Sequence, residues 1–162
     1  MPDQFTAGAR QAIQHACLEA RRFRHRCVDI EHLALGLIAD GTAPAVIMLG
    51  RLGVPLPTVR NDLERVLTAQ AGPSEAGFSA GARRVFALAA QEAQELGHQR
   101  IGVEDVLLGV MRDGQSTAAR IFGEFLGGPR SRVSVPLGEL LIRGRRWTPL
   151  RPSVVTATAS RS

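Results

Sequence analysis

Residues 5–41 read FTAGARQAIQHACLEARRFRHRCVDIEHLALGLIADG, and residues 78–114 read FSAGARRVFALAAQEAQELGHQRIGVEDVLLGVMRDG. Laid over one another at an offset of 73 residues, 14 of the 37 aligned positions are identical. Chance gives about two or three, so the chain carries an internal duplication. The shared positions include Phe5/Phe78, Arg10/Arg83, His25/His98, Glu31/Glu104, Gly36/Gly109 and the closing Asp-Gly pairs at 40–41 and 113–114.

Each copy reads as four helices. The first opens at Thr6 or Ser79, whose hydroxyl is suited to capping free backbone N–H groups. Its apolar residues return at helical spacing: Ala9, Ile13, Ala16 and Ala20 in one copy, Ala82, Phe86, Ala89 and Ala93 in the other. Second helices are expected over 30–39 and 103–112, closed by Asp-Gly, and third helices over 43–52 and 117–125. A fourth is clear at 57–68, with Pro57 near its first turn, where proline is favoured. After Phe125 the register of the second copy slips by one, aligning Val133, Leu137, Leu140 and Leu141 with Val59, Leu63, Val66 and Leu67. Pro136 and Gly138 then predict a short or irregular last helix. The expected fold is all-α: two pseudo-twofold four-helix repeats, about eight helices in all. Repeat one is placed at 1–69, a Gly/Pro/Ser linker at 70–77, repeat two at 78–143 and a basic, disordered tail at 144–162.

Composition narrows the chemistry. At 162 residues and 44% hydrophobic content the chain is long enough to bury a core. No apolar run approaches the roughly 20 residues that span a bilayer. The N-terminal stretch reads as a polar helix start and not as a signal-peptide core. Cys17 and Cys27 make no disulfide framework. A reduced, cytoplasmic, non-membrane protein is expected. All 20 basic residues are arginine; residues 1–143 balance 16 of them against 15 acids, and residues 144–162 carry four with no acid. Without lysine there is no Walker A ammonium for nucleotide phosphates and no Schiff base. Neither a G-x-S-x-G elbow nor a C-x-x-C pair occurs. The chain reads as a non-enzyme without a cofactor. The polar cluster of His15, Cys17, His25, Cys27 and His32 invites a zinc reading. Since His25 recurs as His98 in a copy without cysteine, no metal is assigned to it.

The motif F-T/S-x-x-A-R, then E-A, then H-x-x-I/V-x-x-E-H/D-x-L/A-L-G-L/V-I/M-x-D-G, resembles the Clp N-terminal repeat, over about residues 5–143. That repeat occurs twice at the front of Clp-type unfoldase ATPases such as ClpC. The resemblance implies a pseudo-twofold helical module that receives substrates and adaptor proteins. No ATPase module follows in this sequence, so a free-standing N-domain is expected, one that modulates or shields a separate Clp machine.

The resemblance further implies a phosphoarginine pocket in each half. Glu31 and Glu104 are the acids that grip the guanidinium, and Thr6 and Ser79 the hydroxyl candidates for the phosphate. A carboxylate accepts two parallel guanidinium bonds, and helix N-termini favour phosphate. Where the family has Gly-Thr before this Glu, this chain has Asp29-Ile30 and Gly102-Val103, so the Glu104 pocket is expected to bind better. A second surface, which takes cyclic-peptide antibiotics in ClpC-type domains, maps onto Arg10, Phe78 and Arg83, with Phe5 beside them and Pro2 in place of the family's Phe. The bland reading makes Glu31 and Glu104 helix-start acids and the two Phe hydrophobic staples. The competing function is nucleic-acid binding or regulation through the arginine-rich tail; the reading taken favours protein, peptide or Clp-ATPase partners over nucleic acid.

Overall fold

The computed structural model describes residues 2–70 and 76–126. Thr6 and Ser79 cap as their hydroxyls suggest: Ala9 N–H donates to Thr6 Oγ1 at 3.2 Å and Ala82 N–H to Ser79 Oγ at 3.0 Å. They open α1 (Ala7–Arg22) and α5 (Ala80–Glu95), the equivalent first helices. Both end in the same tight turn, where the next residue is left-handed: Arg24 at φ 59° in repeat one and Gly97 at φ 73° in repeat two. The second helices are α2 (Ile30–Ala39) and α6 (Val103–Asp113), and the third are α3 (Pro44–Arg51) and α7 (Thr117–Leu126). Between α3 and the linker lies α4 (Leu56–Ala69), which turns Val59, Leu63 and Leu67 inward. The expected fourth helix of repeat two and the tail fall outside the described residues. No single helix among those described is long and apolar enough to cross a membrane.

Glycine sets the approach of the first two helices in each repeat. A methyl group added at Gly36 would collide with the Ala12 carbonyl oxygen, and one at Gly109 would stand 2.6 Å from the Val85 carbonyl oxygen. These are the same contact, 73 residues apart, and only glycine permits so close a crossing. The remaining interior is a single core drawn from both repeats, including Leu33, Leu35, Leu49, Leu63, Leu107, Leu108 and Phe122.

The repeats are joined by backbone as well as by side chains. Two short strands, β1 (Cys27–Val28) and β2 (Gly77–Phe78), pair in parallel with Val28 opposite Phe78. The pseudo-symmetric contact is a bridge between Phe5 and Ile101. Each entry segment therefore lies beside the residue that leads into the other repeat's second helix. The hydrogen bonds match: Thr6 N–H donates to Ile101 O at 2.9 Å, and Ser79 N–H to Val28 O at 3.0 Å. This exchange places the start of α1 beside the start of α6, and the start of α5 beside the start of α2.

Candidate functional site

The exchange creates two equivalent junctions, and they differ. The first holds an open cavity of about 270 Å³, lined by Thr6, Gly8, Gln11 and Ala12 of repeat one, by Leu37, Asp40 and Thr42–Pro44, and by Val103 and Glu104 of repeat two. The acid and the hydroxyl that face one another thus come from different repeats: Glu104 with Thr6, not Glu104 with Ser79. The first turns of α1 and α3 border this cavity, and α3 has no side-chain cap. Helix starts of this kind present N–H groups and partial positive charge to an anion. Asp40 closes the rim, accepting from Thr42 N–H at 2.9 Å and from Thr42 Oγ1–H at 2.6 Å. The Thr42 hydroxyl, followed by its N–H, holds the Asp40 carboxyl below its ordinary range.

At the second junction the same positions are occupied differently. Glu31 is 6% exposed. Its carboxylate lies near the backbone N–H groups of Thr117 and Ala118 at the start of α7, where Ser116 Oγ accepts from Ala119 N–H at 3.0 Å. Burial is the main force holding Glu31 above the usual carboxylate range; those N–H groups and its own pull it back, and Asp29 adds to the rise. Ile30 lies against α5 so closely that a methyl at Gly81 would stand 3.0 Å from Ile30 Cδ1. Ser79 Oγ–H donates to Asp29 Oδ1 at 2.6 Å. Asp29 thus holds the Ser79 hydroxyl and also accepts from Ile30 N–H at 2.9 Å. Arg84, in the place of Gln11, bonds through Nε to Asp113 Oδ1 at 3.1 Å.

Phe5 and Phe78 are brought together by a residue the site reading left out. Phe86 stacks edge-on against both, with ring centroids 5.7 Å from Phe5 and 5.2 Å from Phe78. Sequence marked Phe86 only as an apolar position of α5. All three rings are half-buried, and Arg83 Nε donates to Phe78 O at 3.1 Å. Arg10 and Arg83 occupy equivalent, exposed positions on α1 and α5.

The histidines also diverge. Each second helix has its first N–H tied back by the residue three positions on: Asp29 N–H donates to His32 Nδ1 at 2.9 Å, and Gly102 N–H to Asp105 Oδ2 at 2.8 Å. The recurring histidine then touches that residue, His25 Nδ1 at 3.0 Å from His32 Nε2 and His98 Nδ1 at 3.0 Å from both Asp105 carboxylate oxygens. His32 is completely buried. Burial, reinforced by His25, lowers its pKa to about 4. Of the polar cluster seen in sequence, His25 and His32 meet in this pairing.

Comparison with known proteins bears on these features. A family model described as the Clp repeat (R) N-terminal domain matches residues 4–125. The chloroplastic chaperone protein ClpC1 of Arabidopsis thaliana is 38% identical over 135 residues, covering 82% of this chain and 14% of the relative. A ClpA homolog of Guillardia theta is 40% identical over 123 residues, 75% of this chain and 15% of the relative. The chain therefore spans about one-seventh of the length of the curated relatives it matches. Among solved structures, the N-terminal domain of ClpD from Arabidopsis thaliana superposes with a TM-score of 0.66 at 24% identity, covering 87% of this chain and 96% of that one. A ClpV N-domain in complex with a VipB peptide gives 0.70 at 15% identity, covering 90% and 91%. At these identities the structural likeness shows the fold.

Proposed function

The chain belongs to the Clp repeat N-terminal domain family, and from that premise we propose that it is a non-catalytic, cytoplasmic recognition module whose principal site is the Glu104 cavity. The ligand it suits is a phosphorylated arginine side chain, free or within a protein marked for a Clp machine. Glu104 supplies the carboxylate for the guanidinium; the start of α1 supplies N–H groups, and the starts of α1 and α3 partial positive charge, for the phosphate. The Thr6 and Thr42 hydroxyls border the same space. One observation carries this reading: at one junction the acid lines an open cavity, and at the other it is buried on α7. We therefore assign one such site per chain.

Two further points support recognition of proteins. The ClpV N-domain of similar fold forms a complex with a VipB peptide. The Phe5/Phe78/Phe86 cluster, with Arg83 and Arg10 on the same pair of first helices, offers an apolar surface rimmed by cations for an adaptor or a cyclic peptide. A chain that binds such a peptide lowers its free concentration by mass action.

Calorimetric titration with phosphoarginine tests the main claim. Binding at one equivalent, weakened about 100-fold in Glu104→Gln by loss of a bidentate charged contact, is the expected result. Two equivalents, or equal affinity in Glu104→Gln, would remove Glu104 from the site.

A further inference from the structure

We propose that His98, Glu104 and Asp105 form a binding site for one divalent transition-metal ion, with Zn²⁺ the ion that fits best. His98 Nδ1 lies 3.0 Å from Asp105 Oδ1 and 3.9 Å from Glu104 Oε1. All three ligand atoms fall within 4.8 Å of one another. Around a tetrahedral ion with bonds of roughly 2.0–2.1 Å, donor atoms stand about 3.4 Å apart. The observed separations bracket that value, and Glu104 is the residue that must close. It is free to do so: its side chain is 35% exposed and holds no hydrogen bond among the described residues.

The surroundings are built for such a set. Asp105 is completely buried and anchored by the Gly102 N–H, which donates to Oδ2, while both of its oxygens lie 3.0 Å from His98 Nδ1. Outer bonds of this kind hold a ligand in place and sustain metal affinity. Gly102 makes the room: a methyl there would stand 2.6 Å from the Glu104 carboxyl carbon, so the carboxylate folds back over bare backbone towards His98. A hydrogen-bonded His98–Asp105 pair accounts for two of the three residues; a bound cation accounts as well for the approach of the Glu104 carboxylate to His98. Two carboxylates and a neutral imidazole, with its proton on Nε2, carry a charge that a divalent cation offsets. One nitrogen and two oxygens suit Zn²⁺ with a position left for water or ligand.

Repeat one supplies the internal contrast. Asp29 replaces Gly102, His32 replaces Asp105, and Glu31 is turned to α7. Both His32 nitrogens are engaged, one by Asp29 N–H and one by His25. The site is confined to repeat two. Since Glu104 also lines the cavity, metal and guanidinium compete for it; this last clause rests on the function proposed above.

The test uses the full chain without an affinity tag. Co²⁺ is followed by its visible absorption and Zn²⁺ by calorimetry. One ion per chain is expected, with an oxygen/nitrogen spectrum lacking a thiolate charge-transfer band. Binding should disappear in His98→Ala, weaken about tenfold or more in Glu104→Gln, and persist in His25→Ala. Glu104→Gln breaks no structural hydrogen bond, so its effect is readable even if His98→Ala loosens the fold. Absence of binding at millimolar Co²⁺, unchanged affinity in Glu104→Gln, or a thiolate band pointing to Cys17 or Cys27 would overturn the assignment. Zn²⁺ binding without any phosphoarginine binding supports the metal site and overturns the pocket reading. Zn²⁺ binding that leaves phosphoarginine affinity unchanged overturns the sharing of Glu104.

Discussion

The two inter-repeat junctions began as the same junction and no longer do the same thing. Both retain the glutamate, the helix starts and the crossing strands. At one, Glu104 faces open space; at the other, Glu31 is buried beside the start of α7 and Ile30 packs against α5. The lesson is that duplication preserves the backbone exchange, which every copy needs to fold. A pocket is released once its acid finds a structural partner, because a buried carboxylate without one is costly.

The largest expected effect tests what the repeats still share. Gly36→Val and Gly109→Val each press a side chain into a first-helix backbone. Each should lower unfolding free energy by about 3 kcal/mol or more, Gly36 the worse. Denaturant midpoints read this directly, and a loss within about half a kcal/mol would mean the helices do not cross so closely.

Next comes pH. His32 has a pKa of about 4 in the fold, below the ordinary 6.5. Between those values the unfolded chain binds more protons, so stability rises with pH across the window. The contribution is whole above about 6.5 and is lost as pH falls towards 4, on the order of 3 kcal/mol in total. His32→Asp gives repeat one the His–carboxylate pair of repeat two and should flatten this dependence. An unchanged slope of stability between pH 4 and 6.5 would exclude His32 as its source.

The pocket contrast gives a third effect. Copying repeat one into repeat two with Val103→Ile and Gly102→Asp crowds the Glu104 carboxylate, and phosphoarginine affinity should fall about tenfold or more. The reverse change, Ile30→Val with Asp29→Gly, leaves Glu31 on α7 and should create no second site. A stoichiometry of two in that variant would show that Ile30 and Asp29, not the burial of Glu31 beside α7, close the first pocket.

The smallest effect concerns the turn after each first helix. Arg24 takes the left-handed backbone that Gly97 takes without a side chain. Arg24→Gly should stabilise by about 0.5–1 kcal/mol and Gly97→Ala destabilise by about 1 kcal/mol. Equal melting temperatures for Arg24→Gly and the parent chain would mean that Arg24 carries no strain.

Much of this was legible in the chain. Thr6 and Ser79 declared their helix starts, and the second and third helices lie within a residue or two of the expected bounds, because caps and helical spacing act over a few residues. That Glu31 and Glu104 stand in different surroundings follows from Asp29-Ile30 against Gly102-Val103; the burial of Glu31 and the packing of Ile30 on α5 came from the structure. The cross-repeat partners were not legible. Thr6 and Glu104 are 98 positions apart, and nothing in local patterning says which repeat supplies which wall. Phe86 was seen as one apolar position among several, since its meeting with Phe5 and Phe78 depends on how α5 docks. His98 and Asp105 are seven residues apart, and the turn that brings them together lies between two helices, not within one.

By itself the sequence determined the duplication, the all-helical class, the caps and the recurrence of Gly36 as Gly109, because each follows from neighbours in the chain or from self-comparison. Only the tertiary structure decided that the repeats exchange their entry strands, that Glu31 is buried beside α7, and that Glu104 stands open beside His98 and Asp105. Those outcomes depend on the docking of two bodies through a shared core, where contacts between distant residues have no local signature.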